Sequence, residues 1–302
     1  MKLVAFVFLI VSTLLFIRRD MTVKRTYDSA TASVLDHETF NGALWNGCLV
    51  SRSVGPSSPR LHNWYLWNTL VFNTFAAGHR HYSKITARCD GVRRDLLSGP
   101  LNYEDPRVFP CGDYALLTYV EGDRVDGRIH RHQARVVYRD FRMGPPWRLH
   151  RGAGDEQRHK NWVLLNGSDL SDTHWSCVLE PRHVVYRVNM FTGDVREGWS
   201  TLSPPRRRGP LEIGNGLRGG TNLLDDGTRL WGYGHVKSIL RRTAAARYAC
   251  ERAPPYRILR VDEPKRLGTD EPTEYPTYLE RGLLLLGVND EAVVRVRPEP
   301  FA

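Results

Sequence analysis

Short apolar runs broken by turn residues, with no long amphipathic helix, constrain this chain most. The runs are Cys48-Leu49-Val50, Tyr65 to Phe72, Tyr114 to Val120, Ala134 to Tyr138, Trp162 to Leu165, Val184 to Val188, Leu230 to Val236 and Leu283 to Val288. Clusters of Gly, Pro, Asn and Asp separate them. Runs of this length between turn formers read as strands, and a long succession of them reads as a sandwich, barrel or propeller. With 302 residues, 41% of them hydrophobic, the chain can fill the core of one large all-β domain. One stretch argues the other way: Ser238 to Ala249, SILRRTAAARYA, is helical by propensity.

Polar clusters recur between the runs, at Phe40-Asn41-Gly42, Glu104-Asp105-Pro106-Arg107, His159-Lys160-Asn161-Trp162, Arg218-Gly219-Gly220-Thr221 and Gly287-Val288-Asn289-Asp290. A spacing of roughly 50 to 70 residues suits one four-stranded blade with long loops. Five clusters therefore predict five blades, whose inner strands ring one channel and carry sequence-distant residues to it.

The clusters hold usable chemistry. Glu104 and Asp105 set two carboxyl groups beside a rigid Pro and a cation. An enclosed carboxyl can be held protonated and give its proton to a glycosidic oxygen. The plainer reading is a surface turn. Arg107 can hold an oxyanion through two N–H groups. Lys160, Asn161 and Trp162 join a cation, an amide and an aromatic plate, which suits a sugar or a phosphate, although a Trp is more often core. Gly219 and Gly220 let backbone approach a ligand while Arg218 supplies charge. His235 and Lys237 flank Val236 and so share a strand face, where they can bind an anion. No Ser-His-Asp order, P-loop, dinucleotide fingerprint or metal-ligand spacing appears, so neither a metal nor a cofactor is expected.

Lys and Arg total 43 against 33 Asp and Glu, a formal charge of +10 that suits anionic partners. The one dense run, Arg206-Arg207-Arg208, lies between Pro204-Pro205 and Gly209-Pro210 and reads as a solvated loop. Zinc-finger spacing and RNA-recognition signatures are absent, so nucleic acid is not an expected partner. Five dispersed cysteines without a CxxC pair read as small buried core residues. At the amino terminus, Leu3 to Ile17 is uncharged between Lys2 and Arg18. The run is short for a bilayer, but the flanking cations can snorkel. The absence of small residues before Arg18-Arg19 favours an uncleaved signal anchor, helical across residues 1–20, over a cleaved signal. A polar linker (21–37) and one propeller (38–302) follow, placed on the luminal or extracytoplasmic side. Asn166-Gly167-Ser168 is a glycosylation sequon that matters only on that side.

In this order the clusters resemble those of glycoside hydrolase family 130, which comprises mannoside phosphorylases, hydrolases and related mannosyltransferases. Glu104-Asp105-Pro106-Arg107 and Lys160-Asn161-Trp162 match its motifs intact. Asn41-Gly42-Ala43, Arg218-Gly219-Gly220-Thr221-Asn222, Gly234-His235 and Leu286-Gly287-Val288-Asn289-Asp290 match with departures, chiefly two missing prolines and Leu286 in place of Tyr. The resemblance runs from Phe40 to Val296. It implies a five-bladed propeller with Asp105 as proton donor. Asn41, Glu104, Asn161, Gly219, Gly220 and Asp290 would line the sugar site, and Arg107, Lys160, Arg218 and His235 would bind phosphate. It also implies a strand over Ala244 to Ala253, against the helical propensity. Cations with a single acid favour transfer of a mannosyl-like residue to or from phosphate, with inorganic phosphate as the acceptor or, in the synthetic direction, a sugar 1-phosphate or a nucleotide sugar as the donor. Hydrolysis, or sugar binding without catalysis, is the alternative.

Overall fold

A computed structural model describes residues 32–36, 39–54, 83–99, 101–122, 129–149, 161–206, 212–238, 243–267, 274–288 and 292–298. The anchor run, the apolar run Tyr65 to Phe72, Lys160 and Asp290 lie outside these residues. Among the described residues there is no α-helix, and hence none that could cross a membrane.

The strands form five antiparallel sheets around one axis. Blade 1 runs β2 (Thr39–Trp45), β3 (Cys48–Val54), β4 (Ser83–Cys89) and β5 (Val92–Leu97), from inside outwards. Blade 2 is β6 (Asn102–Cys111), β7 (Tyr114–Gly122), β8 (Ile129–Tyr138) and β9 (Trp147–Arg148), and blade 3 is β10 (Val163–Asn166), β11 (Thr173–Val178), β12 (Arg182–Val188) and β13 (Val195–Leu202). Blade 4 orders β14 (Glu212–Arg218), β16 (Leu230–Ser238), β17 (Thr243–Cys250) and β18 (Ile258–Val261), with β15 (Leu224–Asp225) also on β16. Blade 5 runs β19 (Glu274–Glu280), β20 (Leu283–Val288) and β21 (Ala292–Val296). Its outermost strand is β1 (Ala32–Asp36), which pairs with β21 and ties the start of the propeller to its end. Residues 32–36 thus belong to the sheet and not to the polar linker that the sequence assigns there.

The expected five-bladed, all-β architecture is present. The helical propensity of Ser238 to Ala249 loses to pairing: Thr243–Cys250 aligns residue for residue with Leu230–Lys237, and alanines let the two neighbouring blades close over it. Buried apolar side chains fill the seams between blades. Phe109 and Leu116 meet Trp175 and Tyr186 between blades 2 and 3, and Val185 meets Leu217 and Tyr248 between blades 3 and 4.

Two expectations change. Cys48 and Cys89 are not separate core residues but form a disulfide between β3 and β4, across a separation of 41 residues. A loop of that length gives about 4 kcal/mol in the chain-entropy view. Cys250 is a buried free thiol, as read, and Cys111 is half-buried. Arg206 is not solvated. It is buried and ion-paired to Glu180 at 2.8 Å and to Glu212 at 2.5 Å, a bridge between blades 3 and 4.

The same seam carries a pH-sensitive contact. His183 is buried, with Nε2 on Ser176 Oγ at 2.8 Å and Nδ1 on the Tyr256 carbonyl at 2.9 Å. Burial pulls its imidazole down to about 4 from the ordinary 6.5. Above pH 6.5 folded and unfolded forms are both neutral and stability is intact. As the pH falls towards 4 the unfolded chain takes a proton that the native state refuses, and stability drops by roughly 3 kcal/mol. Urea unfolding at pH 7 and pH 4.5 measures this. His183→Gln should flatten the dependence, and an unchanged slope in the variant would assign the acid loss to other groups.

Candidate active site

Each inner strand pairs with the next strand through a register shift: at Phe40/Ala43, Glu104/Arg107, Leu164/Asn166, Ile213/Arg218 and Pro276/Tyr278. A bulge bends a strand and re-aims its side chains. Three residues at these irregularities or at the head of an inner strand are left-handed: Asn41 (φ 53°), Asp105 (φ 49°) and Asn161 (φ 69°). Asn and Asp tolerate this region better than other residues with a Cβ. Asp105 is the most strained, because a residue before Pro is ordinarily extended. Such strain concentrates at functional sites.

Asp105 and Arg107 tie all five blades together. Asn41 of blade 1 donates Nδ2–H to Asp105 Oδ1 at 2.8 Å. Arg107 Nη1 donates to the carbonyls of Gly220 in blade 4 and Pro276 in blade 5, each at 2.5 Å. Its Nη2 reaches Asn161 Oδ1, just ahead of β10 in blade 3, at 3.5 Å. Arg107 is 4% exposed. Burial pulls its guanidinium down to about 10, against the pull of Asp105, and still leaves it charged at neutral pH. Arg107 is therefore spent chiefly on backbone carbonyls at the axis.

The glycines serve the same convergence. A Cβ on Gly219 would lie 2.4 Å from Asn161 O, and one on Gly220 2.3 Å from Tyr233 O. A Cβ on Gly287 would lie 2.2 Å from Asn41 Oδ1, so Gly287 keeps the Asn41 amide in place over Asp105. The close approach that these residues permit is between neighbouring strands.

Beyond the clamp lies a basic cluster. Arg218 and His235 stand directly opposite each other on β14 and β16. Arg218 is half-buried and forms no ion pair among the described residues. His235 is buried, and its Nδ1 has no partner there. Burial first, then the cations of Lys237, Arg107 and Arg218, hold its imidazole well below the ordinary value, so it is neutral at pH 7. Asp105 acts on His235 in the opposite sense. These couplings place Asp105, Arg107, Arg218 and Lys237 within electrostatic reach of His235. Glu104 is held by Arg52 Nη2 and Asn102 Nδ2, which both donate to its Oε1, at 2.9 and 2.8 Å. Among the described residues, the three other glutamates near the clusters are engaged elsewhere. Glu180 and Glu212 hold Arg206, and Glu274 accepts from the Leu267 N–H at 2.9 Å.

Tyr275 is a neighbour that the sequence did not signal. The fifth cluster ends β20, which is the second strand of its blade, whereas the inner strand β19 begins Glu274-Tyr275-Pro276. The Tyr275 ring meets the His235 ring edge-on at 5.3 Å, with Lys237 Nζ 5.5 Å from its centroid. An aromatic residue at the start of the strand that pairs with Leu283 to Val288 was the available clue.

No protein-family model and no curated protein sequence matches the chain. Solved structures do. The GH43_1 enzyme from Xanthomonas citri, crystallised with xylose, aligns over 90% of both chains at 12% identity, with a TM-score of 0.50. The catalytic domain of the Coprinopsis cinerea GH62 α-L-arabinofuranosidase aligns over 90% of this chain and 93% of its own at 9% identity, with a TM-score of 0.51. The bifunctional GH43-CE protein of Bacteroides eggerthii aligns over 92% of this chain and 34% of its own at 8% identity, also at 0.51. The chain has the fold of the GH43 and GH62 glycoside hydrolases. At these identities the likeness concerns the fold alone. None of the three is a family-130 protein, so the narrower resemblance rests on the motifs.

Proposed function

We propose that the protein is a carbohydrate-active enzyme that cleaves a glycosidic bond at the propeller axis, with Asp105 giving the proton to the leaving oxygen. The observation that carries this reading is the placement of Asp105. It is a half-buried carboxyl in a strained left-handed turn, fixed by Asn41 and set beside a basic cluster. The fold shared with glycoside hydrolases favours water as the acceptor. One observation favours phosphate instead, through transfer of a mannosyl-like residue to or from it. The described residues around Asp105 supply cations (Arg107, Arg218 and Lys237) and a neutral His235, and the described glutamates near the clusters are already bonded. An inverting hydrolase needs a second carboxylate, roughly 6.5–9.5 Å from the first. Lys160 and Asp290 stay candidates for phosphate and sugar respectively.

The deciding assay offers 4-nitrophenyl mannosides and xylosides, natural mannosides, mannose 1-phosphate and GDP-mannose, each with and without inorganic phosphate. Sugar release indifferent to phosphate supports hydrolysis. Sugar phosphate formation, or transfer from either donor, supports the second reading. Sugar binding without turnover would make the propeller a lectin-like module and overturn both.

We further propose that Leu3 to Ile17 anchors the body on the luminal or extracytoplasmic face of a membrane. The Cys48–Cys89 disulfide supports an oxidising compartment. The full-length protein should resist carbonate extraction, and a chain starting at Met21 should not. Equal release of the two would sink the anchor.

A further inference from the structure

Asn41 is placed to act on Asp105 and not on a substrate. It is 4% exposed, which leaves little of it to line a sugar site as the resemblance implies. Its Nδ2–H goes to Asp105 Oδ1 at 2.8 Å. Its own Oδ1 is buried and accepts nothing from the described residues. The far end of the amide is therefore set by packing, and that packing comes from blade 5. A Cβ on Gly287 of β20 would stand 2.2 Å from Asn41 Oδ1 and 3.0 Å from Asn41 N. Nearby, Thr277 Oγ1 of β19 donates to Gly42 O at 2.6 Å, which pins the bulge of blade 1 to blade 5. Asn41 is left-handed, with φ at 53°, so its turn suits Asn, Asp or Gly.

We infer that Asn41 is a positioning residue for the proton donor, and that Gly287, on the second strand of blade 5, governs the rate through it. The arrangement crosses three blades. Gly287 in blade 5 holds the Asn41 amide in blade 1, and the amide holds one oxygen of Asp105 in blade 2. A proton donor works only where its carboxyl meets the leaving oxygen, and a misplacement of about 1 Å can cost about 100-fold in rate. The inference rests on the carbohydrate reading above, from which it takes Asp105 as the acid.

The test measures kcat and KM on a natural glycoside that the wild type turns over and on its 4-nitrophenyl counterpart, for Asn41→Gly, Gly287→Ala and the two combined. Asn41→Gly keeps the left-handed turn and removes the amide. It should lower kcat on the natural glycoside about 10- to 100-fold with KM within about threefold, the pattern of a loss felt in the transition state. The deficit should shrink on the 4-nitrophenyl glycoside, whose leaving group needs little protonation. Gly287→Ala should lose about tenfold in the same way, because its methyl displaces the amide. Once the amide is gone the methyl has room, so the combined variant should be no slower than Asn41→Gly and melt no lower than Gly287→Ala. Losses in rate that add, with a deficit alike on both substrates, would mark a merely structural pair and overturn the inference. Wild-type kcat in Asn41→Gly overturns it as well. If Asn41→Gly melts far below the wild type, Asn41→Asp takes its place with the same losses expected, since it keeps the shape and the turn but brings no N–H donor to Asp105. If the wild type neither binds nor turns over any sugar, the carbohydrate reading fails and this inference with it. Turnover by the wild type keeps that reading standing whatever the variants do.

Discussion

Asp105→Asn cuts turnover of a natural glycoside by orders of magnitude while leaving the fold intact. Asn has nearly the same shape and accepts the Asn41 amide through its own carbonyl, but it carries no transferable proton. It also suits the backbone: Asn is among the residues that best tolerate φ near 49°, so the melting temperature should hold or rise slightly. Loss of a general acid costs about 10²–10⁴-fold in rate on a substrate with a poor leaving group. On a 4-nitrophenyl glycoside, whose leaving group needs little protonation, the deficit should shrink. That contrast separates a proton donor from a residue that only binds sugar, for which both substrates would suffer alike. Full turnover of a natural glycoside by the Asn variant would remove Asp105 from the chemistry.

Much of the architecture was legible because the propeller repeats one physical pattern. Apolar runs such as Tyr114 to Val120 and Leu283 to Val288 became the second strands of blades, buried on both faces. Four of the five polar clusters lie on the bulged inner strands or at their ends, which is why residues 64 apart, Asn41 and Asp105, share a hydrogen bond. The rest was hidden for particular reasons. Arg206 looks solvated beside two further arginines and four prolines and glycines, and its partners Glu180 and Glu212 are brought to it by two different blades. The Cys48–Cys89 bond depends on β3 and β4 pairing across a long insertion, which cysteine spacing does not encode. Tyr275 lies on an inner strand whose sequence, Glu274-Tyr275-Pro276-Thr277, matches none of the cluster chemistry. The carbonyl partners of Arg107 were hidden for a related reason. A sequence displays a guanidinium but not the two carbonyls waiting for it.

Those carbonyls make Arg107 the residue whose loss should hurt the fold most. Arg107→Met removes the donor to Gly220 O and Pro276 O, leaving two buried acceptors unpaired, and takes the cation from beside Asp105. Breaking a buried charged contact of this kind costs about 3–5 kcal/mol. In a domain of this size that lowers the melting temperature by roughly 10 °C. Arg107→Lys keeps the charge, but its single nitrogen can replace Nη1 at the two carbonyls and not Nη2 at Asn161, so it should recover only part of the loss. A guanidinium engaged mainly with phosphate would behave differently. Its replacement would raise the KM for phosphate while the protein melted as before, and if Arg107→Met melts within about 2 °C of wild type the clamp across the axis is not what holds the blades. The clamp also makes a kinetic prediction. Because Arg107 and Asp105 share one bulge, the Met variant should lose activity together with stability, and the double variant with Asp105→Asn should be little slower than Asp105→Asn alone. Fully additive losses in rate would show that Arg107 acts on the substrate in its own right.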